Sequence, residues 1–216
     1  VYLDMEHALN PRYAESLGVN LDTMLIGQPP SGDECLEMAE NAIRSGEVSL
    51  VIVDSVAALV PQAELNGEMG DSVMGLQARL MGQAMRKLAP VAHTTNTCVI
   101  FINQLREKIG VMFGSPETTP GGKALKFYSS IRIDMRNIGK LKTDDKIVGN
   151  RVRIKIIKNK LASPFEEAEV DLVFGEGFSK TSDLLENAIK TDIIKQSGSW
   201  FSYGEVKLGQ GKDNIR

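Results

Sequence analysis

Three polar side chains stand where apolar segments of the chain end, and their types suit phosphate chemistry. They are Glu6, Asp54 and Gln104. A glutamate can orient or deprotonate an attacking water, and an aspartate can hold a hydrated Mg²⁺. A glutamine amide can sense a terminal phosphate by hydrogen bonding. If the segments before them are neighbouring strands, the three side chains converge on one crevice.

The segment before Asp54 carries the clearest pattern. Residues 50–53 are β-favouring and apolar on both faces, as expected for a central strand of a parallel sheet. Ligands of such sheets bind at the carboxyl ends of the strands, where Asp54 and Ser55 would lie. We interpret Asp54 as a Walker B carboxylate that holds the Mg²⁺ of a nucleotide. The alternative is a buried strand whose aspartate caps the next helix.

Strands and helices alternate along the first half of the chain. Asn10 and Pro11 predict the start of a helix that runs to about Leu17. Ser31 or Gly32 begins a second helix, which ends near Gly46, and a long helix follows from residue 76 to about 89. This alternation predicts an α/β fold with a mostly parallel sheet flanked by helices.

Two loops carry candidate binding residues. Residues 67–75 are punctuated by glycines and lead into the long helix, where Arg79 and Arg86 share one face two turns apart. Residues 105–122 show no helical or strand period, and their mix of cations and apolar side chains suits single-stranded nucleic acid. A solvated helix face and a loop that packs on a neighbouring protein are the alternatives.

Two amphipathic strands follow, over residues 131–138 and 151–160. Arg153 and Lys155 lie on one face of the second strand, opposite its apolar residues. Lys158 and Lys160 fall on the apolar side if no bulge intervenes, and there they would need anionic partners. A nucleotide phosphate across a subunit boundary would serve, and so would a local salt bridge.

The charge is strongly segregated. The net charge is −11 over residues 1–73, +12 over residues 74–160 and −4 over residues 161–216. A basic middle third indicates a surface for phosphate-rich partners, or one that neutralises the acidic part within the fold or between subunits.

The two cysteines and the absence of a long apolar run predict a cytoplasmic protein without membrane association.

The turn at residues 175–177 predicts a boundary between two parts. Residues 1–178 would form the main core, and residues 179–216 the start of a small α/β domain with a helix from about Ser182 to Gln196. The chain starts at Val1 inside an apolar strand, and we expect further residues upstream and beyond the carboxyl end.

Several motifs, in this order and at this spacing, closely resemble the bacterial RecA recombinase family over essentially the whole chain. They are residues 6–11, 54–61, 67–71, 101–104, 108–113, 124–128, 158–160 and 209–212. The resemblance implies a RecA-like ATPase core and a DNA-dependent ATPase that uses ATP and Mg²⁺. It further implies filaments on single-stranded DNA, strand exchange with duplex DNA, and promotion of self-cleavage of a LexA-type repressor.

The resemblance also implies roles for individual residues. Glu6 matches the water-activating glutamate, Gln104 the γ-phosphate sensor and Tyr13 the side chain that packs on adenine, with Asp54 and Ser55 at the Mg²⁺. Lys158 and Lys160 match a pair that reaches the ATP of an adjacent protomer, and Lys126 and Phe127 lie at a subunit interface. The DNA-binding matches are Met74, Arg79, Arg86, Arg106, Lys108, Ile109, Lys123, Arg153 and Lys155.

The chain departs from the family pattern in three ways. It contains no Gly-x-x-x-x-Gly-Lys-Ser/Thr phosphate-binding loop, which lies upstream of Glu6 in the family. Lys123 replaces a frequent Asn, and Asn137 replaces a frequent Arg, which weakens the match of the secondary DNA site there. Two other functions stay open: a non-catalytic DNA-binding fragment, and a related RecA-core repair ATPase or helicase.

Overall fold

The chain forms two compact units, Val1–Ser129 and Ser130–Arg216. A computed structural model describes residues 1–71, 74–107, 110, 114, 116–143 and 145–215. This division by compactness differs from the sequence-based boundary after residue 178, which stays a prediction.

The first unit alternates strands with helices. Its elements are β1 (Tyr2–Asp4), α1 (Pro11–Ser16), β2 (Ile26–Gly27), α2 (Gly32–Arg44), β3 (Leu50–Asp54), α3 (Gln62–Leu65), α4 (Leu76–Thr95), β4 (Cys98–Phe101), β5 (Arg106–Glu107), β6 (Glu117–Thr118) and α5 (Ala124–Tyr128), with 3₁₀ turns at Leu21–Thr23 and Val56–Ala58.

A parallel sheet lies at the centre of this unit, in the order β2-β1-β3-β4. Val51 and Val53 of β3 are fully buried and share one apolar cluster with residues of β1, α2 and α4. The fold class predicted from the sequence is therefore confirmed. Because all four strands are parallel, the residues that follow β1, β3 and β4 meet at one edge.

The helix starts follow local capping. The Asn10 side chain accepts a hydrogen bond from the Tyr13 N–H at the start of α1. Ser31 does the same for the Glu34 N–H at the start of α2. Both starts agree with the prediction, because a capping side chain satisfies an N–H of the first turn using residues three apart.

The long helix α4 ends later than predicted. It continues through Pro90 to Thr95, whereas the sequence indicated an end near residue 89. Proline removes one helical hydrogen bond, but Leu88 is buried in the core and Val91 and Ala92 pack against it. This packing retains the last turns, and the helix ends at Thr95, followed by the C-cap Asn96 in the left-handed conformation.

The second unit is mostly antiparallel. Its elements are β7 (Ile131–Thr143), β8 (Lys146–Asn159), β9 (Glu167–Val173), β10 (Gly177–Phe178), α6 (Lys180–Lys190), β11 (Ile194–Ser197), β12 (Trp200–Tyr203) and β13 (Val206–Gln210), with a 3₁₀ turn at Asp213–Ile215. The sheets have the orders β10-β9-β8-β7 and β11-β12-β13.

A bulge in β8 corrects the predicted side of Lys158. Arg132 pairs with Lys158, but Ile133 pairs with Ile156, so Ile157 is the extra residue. A bulge shifts the alternation of faces by one. The condition on the sequence-based placement, that no bulge intervenes, is therefore not met, and Lys158 lies on the charged face with Arg132.

The helix predicted from Ser182 to Gln196 is also shorter in the structure. It ends at Lys190, and Asp192 takes a left-handed conformation with φ of 57°. Ile194 then pairs with Tyr203 in the small sheet. Pairing with the next strand in a hairpin overrides the local helical pattern of these residues.

Candidate functional site

Glu6, Ser55 and Gln104 meet at the carboxyl edge of the parallel sheet. The Ser55 hydroxyl and Gln104 Nε2 both donate hydrogen bonds to Glu6 Oε1, the latter at 2.8 Å. Ser55 is buried, whereas Glu6 is exposed. The carboxylate is therefore held from two strands while it stays open to solvent.

Asp54 lies beside this group and has a partner that sequence reasoning missed. The Tyr2 hydroxyl donates a hydrogen bond of 2.5 Å to Asp54 Oδ2. Burial raises the pKa of Tyr2, and the hydrogen bond to the Asp54 carboxylate raises it further. Tyr2 therefore stays a phenol and a donor. The register places Tyr2 beside Ile52, two residues before Asp54 on the neighbouring strand.

Asp4 is a second residue that the sequence did not single out. It is 1% exposed and accepts hydrogen bonds from the Ala8 and Leu9 N–H groups and from Gln28 Nε2. Burial pushes the pKa of Asp4 upward, but these three hydrogen bonds together lower it below its usual value. Asp4 thereby fixes the turn that carries Glu6.

A hydrogen-bonded chain leads from Glu6 towards the second loop. Gln104 donates to Glu6 through Nε2 and accepts from Arg106 Nη2 through Oε1, at 2.9 Å. Arg106 begins the short ladder in which it pairs with Thr118. A predicted DNA-binding residue is therefore two hydrogen bonds away from the predicted water-activating carboxylate.

The remaining nucleotide residue, Tyr13, lies apart from this chain. Its ring is on α1 and is 40% exposed. Among the described residues, no hydrogen bond joins it to Glu6 or Asp54. Its predicted contact with adenine stays a prediction.

The predicted DNA-binding residues of the first unit are exposed. Met74 precedes α4, Arg79 and Arg86 lie on α4, and Lys123 immediately precedes α5. Lys108 and Ile109 lie outside the described residues. Of the predicted interface residues, Phe127 is 70% exposed and Lys126 is half-buried on α5.

The second unit brings several cations together. Lys158 lies beside Arg132 across the strands, and Lys160 follows the end of β8. Partial loss of hydration lowers the pKa of Lys158, and the charges of Lys160 and Arg132 lower it further. Such a group of cations favours an anionic ligand.

Arg153 and Lys155 lie on the same charged face. Lys155 is 3.3 Å from Glu167, and Arg153 stands directly opposite Arg136. Arg153 Nε is buried and has no hydrogen-bond partner among the described residues. The predicted secondary DNA site therefore combines one ion-paired lysine with an arginine that has an unused donor.

The site fits a metal that arrives with a nucleotide rather than one held by a protein cage. Within the described residues there is no group of three or more histidine, cysteine or acidic side chains that could hold a metal ion. Mg²⁺ usually keeps several waters and binds one or two carboxylates together with substrate phosphates. Asp54, half-buried at the sheet edge, has the right chemistry for this.

The parallel sheet and its polar edge define a RecA-like α/β core. A crystal structure of the RadB recombinase has this fold, with a TM-score of 0.53 and 18% identity, covering 82% of this chain and 76% of that one. The described part of the chain contains no helix long and apolar enough to cross a membrane.

The chain belongs to the RecA family. The model of the RecA N-terminal domain matches residues 1–179, and that of the RecA C-terminal domain matches residues 182–216. Protein RecA of Clostridioides difficile is 57% identical over 215 residues, that of Caulobacter vibrioides 58% and that of Caldanaerobacter subterraneus 56%. The matches cover 100% of this chain but 62%, 60% and 63% of these relatives. The resemblance stated from the sequence is thus confirmed.

Proposed function

We propose that the protein is an ATP-dependent recombinase that forms filaments on single-stranded DNA and exchanges strands with duplex DNA. Its activity would be that of a DNA-dependent ATPase, located in the cytoplasm. It would also promote self-cleavage of a LexA-type repressor. The hydrogen-bonded chain from Glu6 through Gln104 to Arg106 is the observation that carries this proposal.

The chain of hydrogen bonds gives each residue a task. Glu6 orients the attacking water and accepts its proton, since a positioned carboxylate is a suitable general base. Ser55 and Gln104 keep its carboxylate in place. Gln104, which also contacts Arg106, transmits the state of the nucleotide to the start of the DNA-binding loop.

ATP and Mg²⁺ would lie at the same edge of the sheet. Asp54 would hold the ion through water, and Tyr2 fixes the orientation of its carboxylate. When bound, Mg²⁺ neutralises charge on the phosphates. Tyr13 would pack on the adenine.

Residues of an adjacent protomer would complete the site in a filament. Lys158 and Lys160 carry the charge needed to stabilise phosphate oxygens as negative charge develops. Lys126 and the exposed Phe127 would lie at the same interface.

Substitution of Glu6 by glutamine, in the product of the complete gene, tests this function. Glu6→Gln keeps the size of the side chain and its acceptor oxygen but removes the base, so ATP turnover should fall by about 10²–10⁴-fold. Binding of single-stranded DNA with ATP should persist. Glu15→Gln, an exposed acid on α1, is the matched control. Turnover retained in Glu6→Gln would exclude Glu6 as the base, and DNA binding of the parent protein that is indifferent to ATP would exclude the proposed function.

A further inference from the structure

Gln77, in the first turn of α4, joins two other segments of the chain. Its Nε2 donates hydrogen bonds to the carbonyl oxygens of Val56 at 2.8 Å and Leu59 at 3.1 Å. Its Oε1 accepts a hydrogen bond of 3.0 Å from the Gly121 N–H. Both donors of the amide are used, and so is its acceptor oxygen.

The first of these segments follows the nucleotide edge. Val56 is the second residue after Asp54, and both Val56 and Leu59 are fully buried. The Val56 N–H donates to the Ile102 carbonyl at 2.8 Å, two residues before Gln104. A movement of Asp54 or Gln104 would therefore shift the Val56 and Leu59 carbonyl groups to which Gln77 donates.

The second segment ends the loop of residues 105–122. Asn103 Nδ2 donates to the Pro120 carbonyl at 3.1 Å, which ties this end of the loop to the strand exit. Gly121 has a φ of +80°, and a Cβ there would lie 2.9 Å from Val56 Cγ1 and 3.1 Å from Met81 Cγ. The loop end is therefore seated directly on the segment that follows Asp54.

Gln77 itself lies two residues after the end of the other loop, residues 67–75. Gly75 is the N-cap of α4, is left-handed and supplies no side-chain cap, and Met74 immediately precedes it. The contacts of Gln77 therefore fix the first turn of the helix to the sheet. The Gln77 amide therefore contacts the end of one candidate DNA-binding loop and the segment after Asp54, and it lies in the helix turn that follows the other loop.

We propose that Gln77 is the positioning residue that couples nucleotide binding to the two DNA-binding loops. This inference rests on the proposed function, because it assigns the loops to DNA and the sheet edge to ATP. Gln77 contacts neither ligand. It sets how strongly one ligand changes the affinity for the other.

The test measures this coupling rather than activity alone. In the product of the complete gene, the dissociation constant for single-stranded DNA is measured with and without a non-hydrolysable ATP analogue, and that for the analogue with and without DNA. The ratio of affinities is the coupling factor, which must be equal in both directions and is typically about 5–150. A merely structural residue would weaken both affinities and leave the ratio unchanged.

Gln77→Met keeps the length of the side chain and removes all three hydrogen bonds. We expect the coupling factor to fall at least about fivefold, while each affinity measured alone changes less than about twofold. Gln77→Glu retains the acceptor for Gly121 but places a carboxylate against the two carbonyl groups, and Gly121→Ala disturbs the contact from the loop side. Both should also lower the coupling factor. Gln196→Met is the control, since Gln196 donates to the Gly198 carbonyl within its own turn.

The outcomes separate this inference from the function on which it rests. A coupling factor of one in the parent protein overturns the proposed function and this inference with it. Strong coupling in the parent that persists in Gln77→Met overturns the role of Gln77 alone.

One measurement does not depend on the folding of any variant. In the parent protein, binding of the analogue without DNA should change the hydrogen-exchange rate of the Gly121 amide, because the Gln77 oxygen that accepts its hydrogen bond belongs to a side chain that also contacts the segment after Asp54. An equal rate in both states overturns the inference.

Discussion

Gln104 and Glu6 lie 98 residues apart in the chain, yet Gln104 Nε2 donates a hydrogen bond of 2.8 Å to Glu6 Oε1. The same amide accepts a hydrogen bond from Arg106 through its oxygen. One side chain therefore contacts the candidate base and the first cation of the candidate DNA-binding loop. The Gln104 amide is planar, so a rotation that breaks its hydrogen bond to Glu6 also moves the oxygen that accepts from Arg106.

Replacing Gln104 by leucine should uncouple turnover from DNA. The leucine keeps most of the volume but neither hydrogen bond, so the stimulation of ATP turnover by single-stranded DNA should fall by about tenfold or more. Turnover without DNA should fall by a smaller factor, because Gln104 is only one of two groups that hold the Glu6 carboxylate and Ser55 remains. Steady-state rates with and without DNA measure this. The control is Gln62→Leu, since Gln62 donates to Asn66 one turn along α3, and equal stimulation in both variants would contradict the prediction.

Tyr2 should influence the Mg²⁺ requirement, because its hydroxyl orients the Asp54 carboxylate. Tyr2→Phe removes the hydroxyl and retains the ring. Loss of a residue that hydrogen-bonds to a metal ligand commonly weakens the metal affinity by about tenfold or more. The Mg²⁺ concentration that gives half-maximal turnover should rise by about tenfold or more, whereas Tyr203→Phe, at an exposed tyrosine, should leave it unchanged. A Mg²⁺ titration that is the same in all three proteins would exclude this role.

Arg151 holds three acidic side chains of the second unit. It donates to Asp171 at 2.9 Å, to Glu186 through two nitrogens at 2.7 Å, and to Glu169 at 3.3 Å. Asp171 is 2% exposed, and Arg151 is a cation that pairs with it in this buried position. The hydrogen bonds from Arg151 lower the pKa of Glu186, although burial opposes this.

Removal of Arg151 should therefore destabilise the second unit. Arg151→Met removes a cation that pairs with the buried Asp171, and breaking such a pair costs about 3–5 kcal/mol. Hydrogen exchange of β9 and α6 amides would report this as faster opening. Arg44→Met is the control, because its pair with Glu40 is exposed and is worth at most about 0.5 kcal/mol. Asp171→Asn in the Arg151→Met background should recover part of the loss; no recovery would assign the cost to packing instead.

Acid should weaken the same cluster. The pKa of Glu186 is lower in the folded protein than its ordinary value of 4.5. A carboxyl group with a lowered folded pKa contributes stability above its unfolded pKa, and this contribution is lost as the pH falls through the folded value. The protein should therefore lose stability below about pH 4.5, and Glu186→Gln should make this loss shallower. Glu205→Gln removes a charge from an exposed turn as the control, and the melting temperature between pH 7 and pH 3 measures the effect.

Local patterns in the sequence predicted the features that depend on neighbouring residues. The cap at Asn10 and the start of the second helix at Ser31 or Gly32 were predicted, because such starts depend on residues three apart. The apolar strands ending in Glu6, Asp54 and Gln104 indicated a shared edge, and the structure brings Glu6 and Gln104 into contact. The order of the motifs indicated the family, which the family models confirm.

Features that depend on strand register or on packing could not be predicted in this way. The bulge at Ile157 moves Lys158 to the charged face. The adjacent apolar residues Ile156 and Ile157 interrupt the alternation, but pairing with β7 decides which residue is the extra one. The helix α4 passes Pro90 because Leu88 and its neighbours are packed against the core. In both cases the deciding free energy comes from contacts with distant elements.

The sequence by itself thus determined which residue types stand at the strand ends, the α/β class and the resemblance to the RecA family. Only the tertiary structure decided the hydrogen-bond partners around this edge. Tyr2 donates to Asp54, Ser55 donates to Glu6, and Gln77 joins the Val56 carbonyl to the Gly121 N–H. The physical reason is that a hydrogen bond requires its two groups to lie within about 3 Å in a suitable orientation. Sequence spacing fixes such a geometry within a turn or a helix, whereas across a sheet it is fixed by register and packing.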